Sequence, residues 1–158
     1  MDWAERLAQL SHAQRLQVGA VIVKDDTVIS YGYNGMPAGW ENNCEDRLYP
    51  DKIAGDFDQH YDEFDSMFPI VDEQGKRYRL KTKPEVLHAE SNAVAKLAKS
   101  IQSGSDAALF VTHAPCMDCA KLIYQSGISH VYYRNSYRDV AGVNFLKQSG
   151  VIVEQMEK

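Results

Sequence analysis

The sequence predicts a three-layer α/β/α fold: one mixed sheet of about five strands with helices on both faces. Three observations predict it. After Pro84, short β-branched runs alternate with segments of helical period. Two further β-branched runs near the start flank the dipeptide Asp25-Asp26, as in an antiparallel hairpin. The 158 residues are one domain's length and enough to bury a core.

The elements follow in order. Trp3, Leu7 and Leu10 recur at helical spacing, so a helix is expected over 3–16, with Asp2 as its N-cap. VGAVIVK (18–24) and TVISYGY (27–33) form the hairpin, because acidic turn residues join two pleated runs. From Asn34 to Pro84 no period is sustained. A structureless loop of that length is unusual in a compact domain, so local helix or a short hairpin is expected within it, around FPIVDEQGKRYRL (68–80). A helix then covers 85–100, a strand 107–112 and a helix 116–126. A strand over 130–134, a helix over 139–149 and a strand over 151–155 complete the chain. Strand–helix–strand units imply right-handed crossovers and a partly parallel sheet.

Composition narrows the function classes. The formal charge is −5 and no basic tract occurs, which counts against a protein that tracks a nucleic-acid backbone. A small anionic ligand needs only one or two well-placed arginines. No basic n-region or apolar h-region opens the chain, and no apolar run approaches the ~18 residues of a membrane span. A soluble, cytoplasmic protein, cellular or virus-encoded, is expected. Three cysteines, Cys44, Cys116 and Cys119, make no disulfide framework in a reducing compartment.

Two stretches carry metal-ligand types: HAE at 88–90 and APCMDCA at 114–120. Cys116 and Cys119, at i and i+3, share a helix face. Pro115 favours a sharp helix start, where free N–H groups and the positive dipole end lower thiol pKa values. His88 and Glu90, at i and i+2, do not share a mid-helix face. Separate roles fit them: His88 as ligand, and Glu90 as base toward what the metal holds. One imidazole and two thiolates make three ligands, the count of a catalytic zinc site, whereas a structural site has four. A redox CxxC, or a four-ligand knuckle completed by Cys44, His12, His60, His113 or His130, stays open on these residues alone.

The joint pattern H-x-E then P-C-x-x-C is the signature of zinc nucleobase deaminases. With it the chain resembles the zinc-dependent cytidine deaminase superfamily. QVGAVIV (17–23), GYNGMPAG (32–39), HAESNAVA (88–95) and THAPCMDCAKLIYQSGI (112–128) are similar to the deoxycytidylate (dCMP) deaminases, most weakly over 45–83. The resemblance implies a cytidine deaminase-like fold, with one deaminase domain over 1–158 and an insert at about 45–83. It implies hydrolytic deamination of dCMP to dUMP and ammonia. His88, Cys116 and Cys119 would hold one catalytic Zn²⁺ per chain, while Glu90 takes a proton from water and returns protons to N3 and the departing amine. The Ala89 amide would meet the pyrimidine O2, Asn34 the base or deoxyribose, and Tyr137 would stack on the base. Arg138 and Arg15 are the candidates for the 5′-phosphate.

The same resemblance implies a homo-hexamer activated by dCTP and inhibited by dTTP, with Mg²⁺ accompanying the effector triphosphate. Tyr33, Gly35, Asn42, Asn43, Glu45 and Lys99, with Lys96, are the effector candidates. Cys44 alone remains for the second, structural zinc of some members, so no second zinc is expected and Cys44 reads as a buried or interface thiol. The run DFDQHYDEFDSMF (56–68) has no assigned role. A deaminase of another cytosine nucleoside or nucleotide, and a non-catalytic zinc-stabilised nucleotide sensor, are the competing readings.

Overall fold

The computed structural model describes residues 1–50 and 65–157. Helices α1 (Asp2–Ala8), α2 (Ala89–Leu97), α3 (Met117–Gln125) and α4 (Ala141–Gln148) pack on a sheet of five strands. Those strands are β1 (Gly19–Lys24), β2 (Thr27–Tyr33), β6 (Ala108–His113), β7 (His130–Asn135) and β8 (Ile152–Gln155), in the order β2-β1-β6-β7-β8. β1 is antiparallel to both of its neighbours, whereas β6, β7 and β8 are parallel. The expected mixed α/β/α sheet is therefore present.

The hairpin turns through Asp25 and Asp26 at φ 48° and 58°, the left-handed geometry that a two-residue turn requires and short acidic side chains tolerate. Paired strand residues point to one face, and successive residues to opposite faces. Ala20 and Gly32, paired across β1 and β2, face α2, while Gly19 faces α1. α1 thus lies on the face opposite α2. On the α2 face, Ala20, Ile22, Leu109, Val111 and Val131 pack with Ala89, Ala93 and Leu97 of α2, Ala120 and Ile123 of α3, and Val143 and Leu146 of α4.

Two of the expected helices are shorter than expected. The helix expected over 3–16 ends at Ala8, and Met1 takes the N-cap position expected for Asp2. Residues 9–18 instead run as irregular chain toward the sheet end, held by tertiary hydrogen bonds that outweigh helical period. The helix expected over 85–100 begins at Ala89, and His88 is its N-cap with an extended backbone at φ −76°, ψ 154°. Pro84 and the bridge pairing Gly35 with Leu87 keep the preceding residues extended.

The hairpin expected around 68–80 is present as β4 (Ile70–Val71) and β5 (Arg77–Thr82), with Gly75 at φ 77° in its turn. A third strand, β3 (Glu45–Leu48), was not expected and joins β5 to give a second sheet in the order β3-β5-β4. Its residues alternate no apolar pattern, since Glu45, Asp46 and Arg47 are all polar. Cys44 is 1% exposed, in a small apolar cluster with Ala13 and Val86, which agrees with a buried thiol. The stretch 51–64, which holds His60 and most of the acidic aromatic run, lies outside the described residues.

Glycine is required where α2 meets β2. A Cβ on Gly32 would sit 2.2 Å from the Ala89 carbonyl oxygen and 2.7 Å from the Ala93 nitrogen. Gly32→Ala is expected to destabilise the protein by about 1–3 kcal/mol, as overpacking against backbone does. Gly35→Ala, where a Cβ meets nothing within 4 Å, is expected to change stability by less than about 0.5 kcal/mol. Urea unfolding of the two variants checks the contrast.

Candidate active site

The site lies where β2, β6 and β7 end and β1 begins, the edge at which loops and helix starts of an α/β sheet converge. His88 caps α2 and Cys116 caps α3, so two helix N-termini meet there. Asn135 ties the ends of β6 and β7 together. Its carbonyl accepts from the Ala114 N–H at 2.9 Å, and its side chain donates to the Thr112 carbonyl at 2.9 Å. Gly142, at the start of α4, lets that helix approach so closely that a Cβ would sit 2.2 Å from the Pro115 carbonyl oxygen.

His88 Nδ1 lies 3.5 Å from Cys116 Sγ and 3.4 Å from Cys119 Sγ. All three donor atoms fall within 4.8 Å of one another. A tetrahedral zinc with Zn–S near ~2.3 Å and Zn–N near ~2.0–2.1 Å has an S···N edge of roughly 3.5 Å. The three donors therefore fit zinc in kind and in spacing. They are the only His, Cys, Asp and Glu group of this type among the described residues, so Cys44, His12, His113 and His130 do not complete a four-ligand site there.

The electrostatics suit a cation. Hydrogen bonds from Cys119 and His88 hold the Cys116 thiol down at about 4, so Cys116 is a thiolate at neutral pH. Cys119 is pushed up instead, because it donates to Cys116 and is buried. The bond to Cys116 raises His88, although its desolvation acts the other way. A bound zinc would replace these shared protons, since it binds thiolate and neutral imidazole. Glu90 is 4% exposed. Burial pushes its carboxyl up from the usual range, opposed by a backbone hydrogen bond and by His88.

One cleft is lined by His88, Glu90, Cys116, Asn34, Tyr137, Arg15 and Glu45, together with Val18, His113 and Thr82. Candidates from six separate stretches of chain are thereby brought together. Asn34 is 8% exposed and braces the cleft floor: Oδ1 accepts from the Val18 N–H and Nδ2 donates to the Leu16 carbonyl, both at 2.8 Å. That leaves one donor hydrogen and one lone pair of the carboxamide. Ala89 is fully buried, and its amide is in the first helical turn, where no intrahelical acceptor exists.

Arg138 does not line this cleft. It lines an adjoining one with Arg79 and Lys81 of β5, and Arg15 lines both. Arg79 and Lys81 were missed in the sequence, because a strand with alternating cations reads as a solvated edge until β5 is placed beside Arg15 and Arg138. The effector candidates lie on several elements. Glu45 belongs to the catalytic cleft, and Gly35 pairs with Leu87. Asn43 accepts from the Glu45 N–H, and Asn42 is exposed. Lys99 is exposed just past the end of α2. Lys96 lies over the rings of Tyr31 and Tyr33, at 4.1 and 5.8 Å, so both are engaged in cation–π contacts.

The profile of the cytidine and deoxycytidylate deaminase zinc-binding region matches residues 1–135. The dCMP deaminase of cyanophage S-TIM5, crystallised with dCMP and dUMP, is 39% identical and superposes with a TM-score of 0.73, covering 98% of this chain and 92% of its own. The deoxycytidylate deaminase of phage T4 is 33% identical over 141 residues, 83% of this chain and 73% of the relative. ComE operon protein 2 of Bacillus subtilis is 33% identical over 158 residues, 99% of this chain and 69% of the relative. With a zinc-fitting donor triad, a buried carboxyl at its side and a family match across both motifs, the chain belongs to the cytidine and deoxycytidylate deaminases.

Proposed function

We propose that the protein deaminates dCMP to dUMP and ammonia. The observation that carries this reading is the junction of two clefts at Arg15, one lined by His88 and Cys116 of the zinc-fitting triad and by Glu90, the other by Arg79, Lys81 and Arg138. With a cytosine ring at the triad, the arginines of the adjoining cleft would suit a 5′-phosphate, which a free nucleoside lacks. The likeness to the S-TIM5 enzyme over nearly the whole chain supports the same substrate.

His88, Cys116 and Cys119 would hold the zinc, which when bound acidifies a water beside the ring. Glu90 accepts the proton of that water. Burial raises the carboxyl's affinity for protons, so Glu90 passes the water's first proton to ring N3 and its second, released from the oxygen now on C4, to the exocyclic amine. Oxygen bonds to C4, the C4–N bond breaks, and the amine leaves as ammonia; water and the aminopyrimidine account for every atom. The Ala89 N–H, free of an intrahelical partner, is the donor for O2. Tyr137 in the cleft wall offers a ring face to the base. Asn34 presents the remaining valences of its carboxamide to base or deoxyribose.

Activation by dCTP, inhibition by dTTP, Mg²⁺ on the effector phosphates, a homo-hexameric assembly and a cytoplasmic location belong to the same proposal, supported by the sequence resemblance. No helix among the described residues is long and apolar enough to cross a membrane.

Ammonia release from dCMP and from deoxycytidine, with and without dCTP and dTTP, tests the reading. Equal kcat/KM for the two substrates would remove the nucleotide assignment. Glu90→Gln is expected to keep one zinc per chain and lose roughly 10²–10⁴ in kcat; unchanged turnover would sink the proton-transfer role. Cys116→Ala is expected to lose zinc, measured by atomic absorption, together with activity. Arg138→Ala is expected to cost about ten- to a hundredfold in kcat/KM for dCMP and little for deoxycytidine.

A further inference from the structure

We infer that Glu45 is a positioning residue for nucleotide recognition: its buried carboxylate fixes the main chain at Gln14–Arg15 and so aims Arg15 at the substrate's 5′-phosphate. The inference rests on the reading that Arg15 meets that phosphate.

A carboxylate in the wall of a cleft that binds an anion is unfavourable by charge alone. Glu45 is nonetheless 6% exposed and lines the catalytic cleft. Its oxygens accept main-chain hydrogen bonds. Oε1 receives the Gln14 N–H and the Arg15 N–H, each at 3.1 Å, and Oε2 receives the Gln14 N–H at 3.3 Å. The segment between α1 and β1 needs such a hold, having no helical or sheet ladder of its own. Asn34 grips its far end at Leu16 and Val18; Glu45 grips it at Arg15.

The hold leaves the arginine's charge available. Glu45 bonds to the backbone of Arg15, not to its guanidinium. The guanidinium donates from Nη1 to the Thr82 hydroxyl at 3.2 Å, a neutral acceptor that orients it without neutralising it. Among the described residues no carboxylate forms an ion pair with Arg15. Glu45 and Thr82 are directly opposite each other across β3 and β5. One rung of the second sheet thus sets both the backbone and the side chain of Arg15. The insert thereby acquires a role, as the frame against which the phosphate-facing arginine is held.

The test compares wild type, Glu45→Gln, Glu45→Ala and Arg15→Ala. The readouts are KM and kcat on dCMP and deoxycytidine, inhibition by inorganic phosphate, zinc content and thermal midpoint. Glu45→Ala is expected to raise the KM for dCMP roughly tenfold or more, with kcat held within about twofold. Phosphate inhibition should weaken by a similar factor, and kcat/KM for deoxycytidine should stay within about twofold. Glu45→Gln, which keeps a carbonyl acceptor in place, should fall between, and it carries the comparison if Glu45→Ala does not fold. Equal losses on dCMP and deoxycytidine, or no loss on either in a folded variant, would overturn the positioning role. If Arg15→Ala shifts the dCMP-to-deoxycytidine ratio and the Glu45 variants do not, the inference alone fails. If Arg15→Ala leaves the ratio unchanged, the phosphate reading of Arg15 fails first.

Discussion

The site depends on the contact between α2 and β2 at Gly32. The Ala89 carbonyl sits where a Cβ at Gly32 would lie, so helix and strand are in backbone-to-backbone contact there. His88, Ala89 and Glu90 occupy the N-cap and first turn of that helix. Their distance from the sheet is therefore set by main chain and not by adjustable side chains. Asn92 reinforces the seat by donating to the Tyr33 carbonyl at 2.8 Å, as Ser30 does to the Ala93 carbonyl at 2.6 Å. A second close approach, Gly142 on Pro115 and Cys116, seats the start of α3. Ligand spacings near 3.5 Å between two separate helices need this rigidity, because a displacement of an ångström at either start would open the triad.

Charge is arranged with similar care. The chain is acidic overall, yet Arg15, Arg79, Lys81 and Arg138 face one cleft beside the catalytic one. Of the two carboxyls in the cleft wall, Glu90 is buried, which raises its proton affinity, and Glu45 is engaged by backbone amides. Neither cancels the arginine that joins the clefts. Two buried carboxyls of one type thus play different parts because their hydrogen-bond partners differ.

Much of the fold and the site is legible in the sequence, for physical reasons that differ by element. The β-branched runs and the Asp25-Asp26 turn are local signals, and the five-stranded sheet follows from them and from crossover handedness. The period through Trp3, Leu7 and Leu10 is real, but the helix stops at Ala8 because long-range bonds to Asn34 and Glu45 draw the following chain away. β3 carries no strand pattern, since its stability comes from pairing with β5 and from contacts such as Arg47 over the Tyr78 ring. Glu45 looks like one acid of a polar run beside a glycine-rich loop, and only burial separates it from Asp46, which is exposed.

By itself the sequence determined which donor types share a helix start: the i, i+3 cysteines after Pro115 lie on one face, and the His-x-Glu spacing separates His88 from Glu90 wherever those helices lie. The tertiary structure decided what that chemistry faces. Which cations share a cleft, which carboxyl is buried and which arginine lies at the junction are properties of strands and loops far apart in the chain. Spacing along a helix is local geometry and can be read in order. Convergence of Arg15, Glu45, Thr82 and Arg138 depends on sheet register and close backbone packing, which no local pattern encodes.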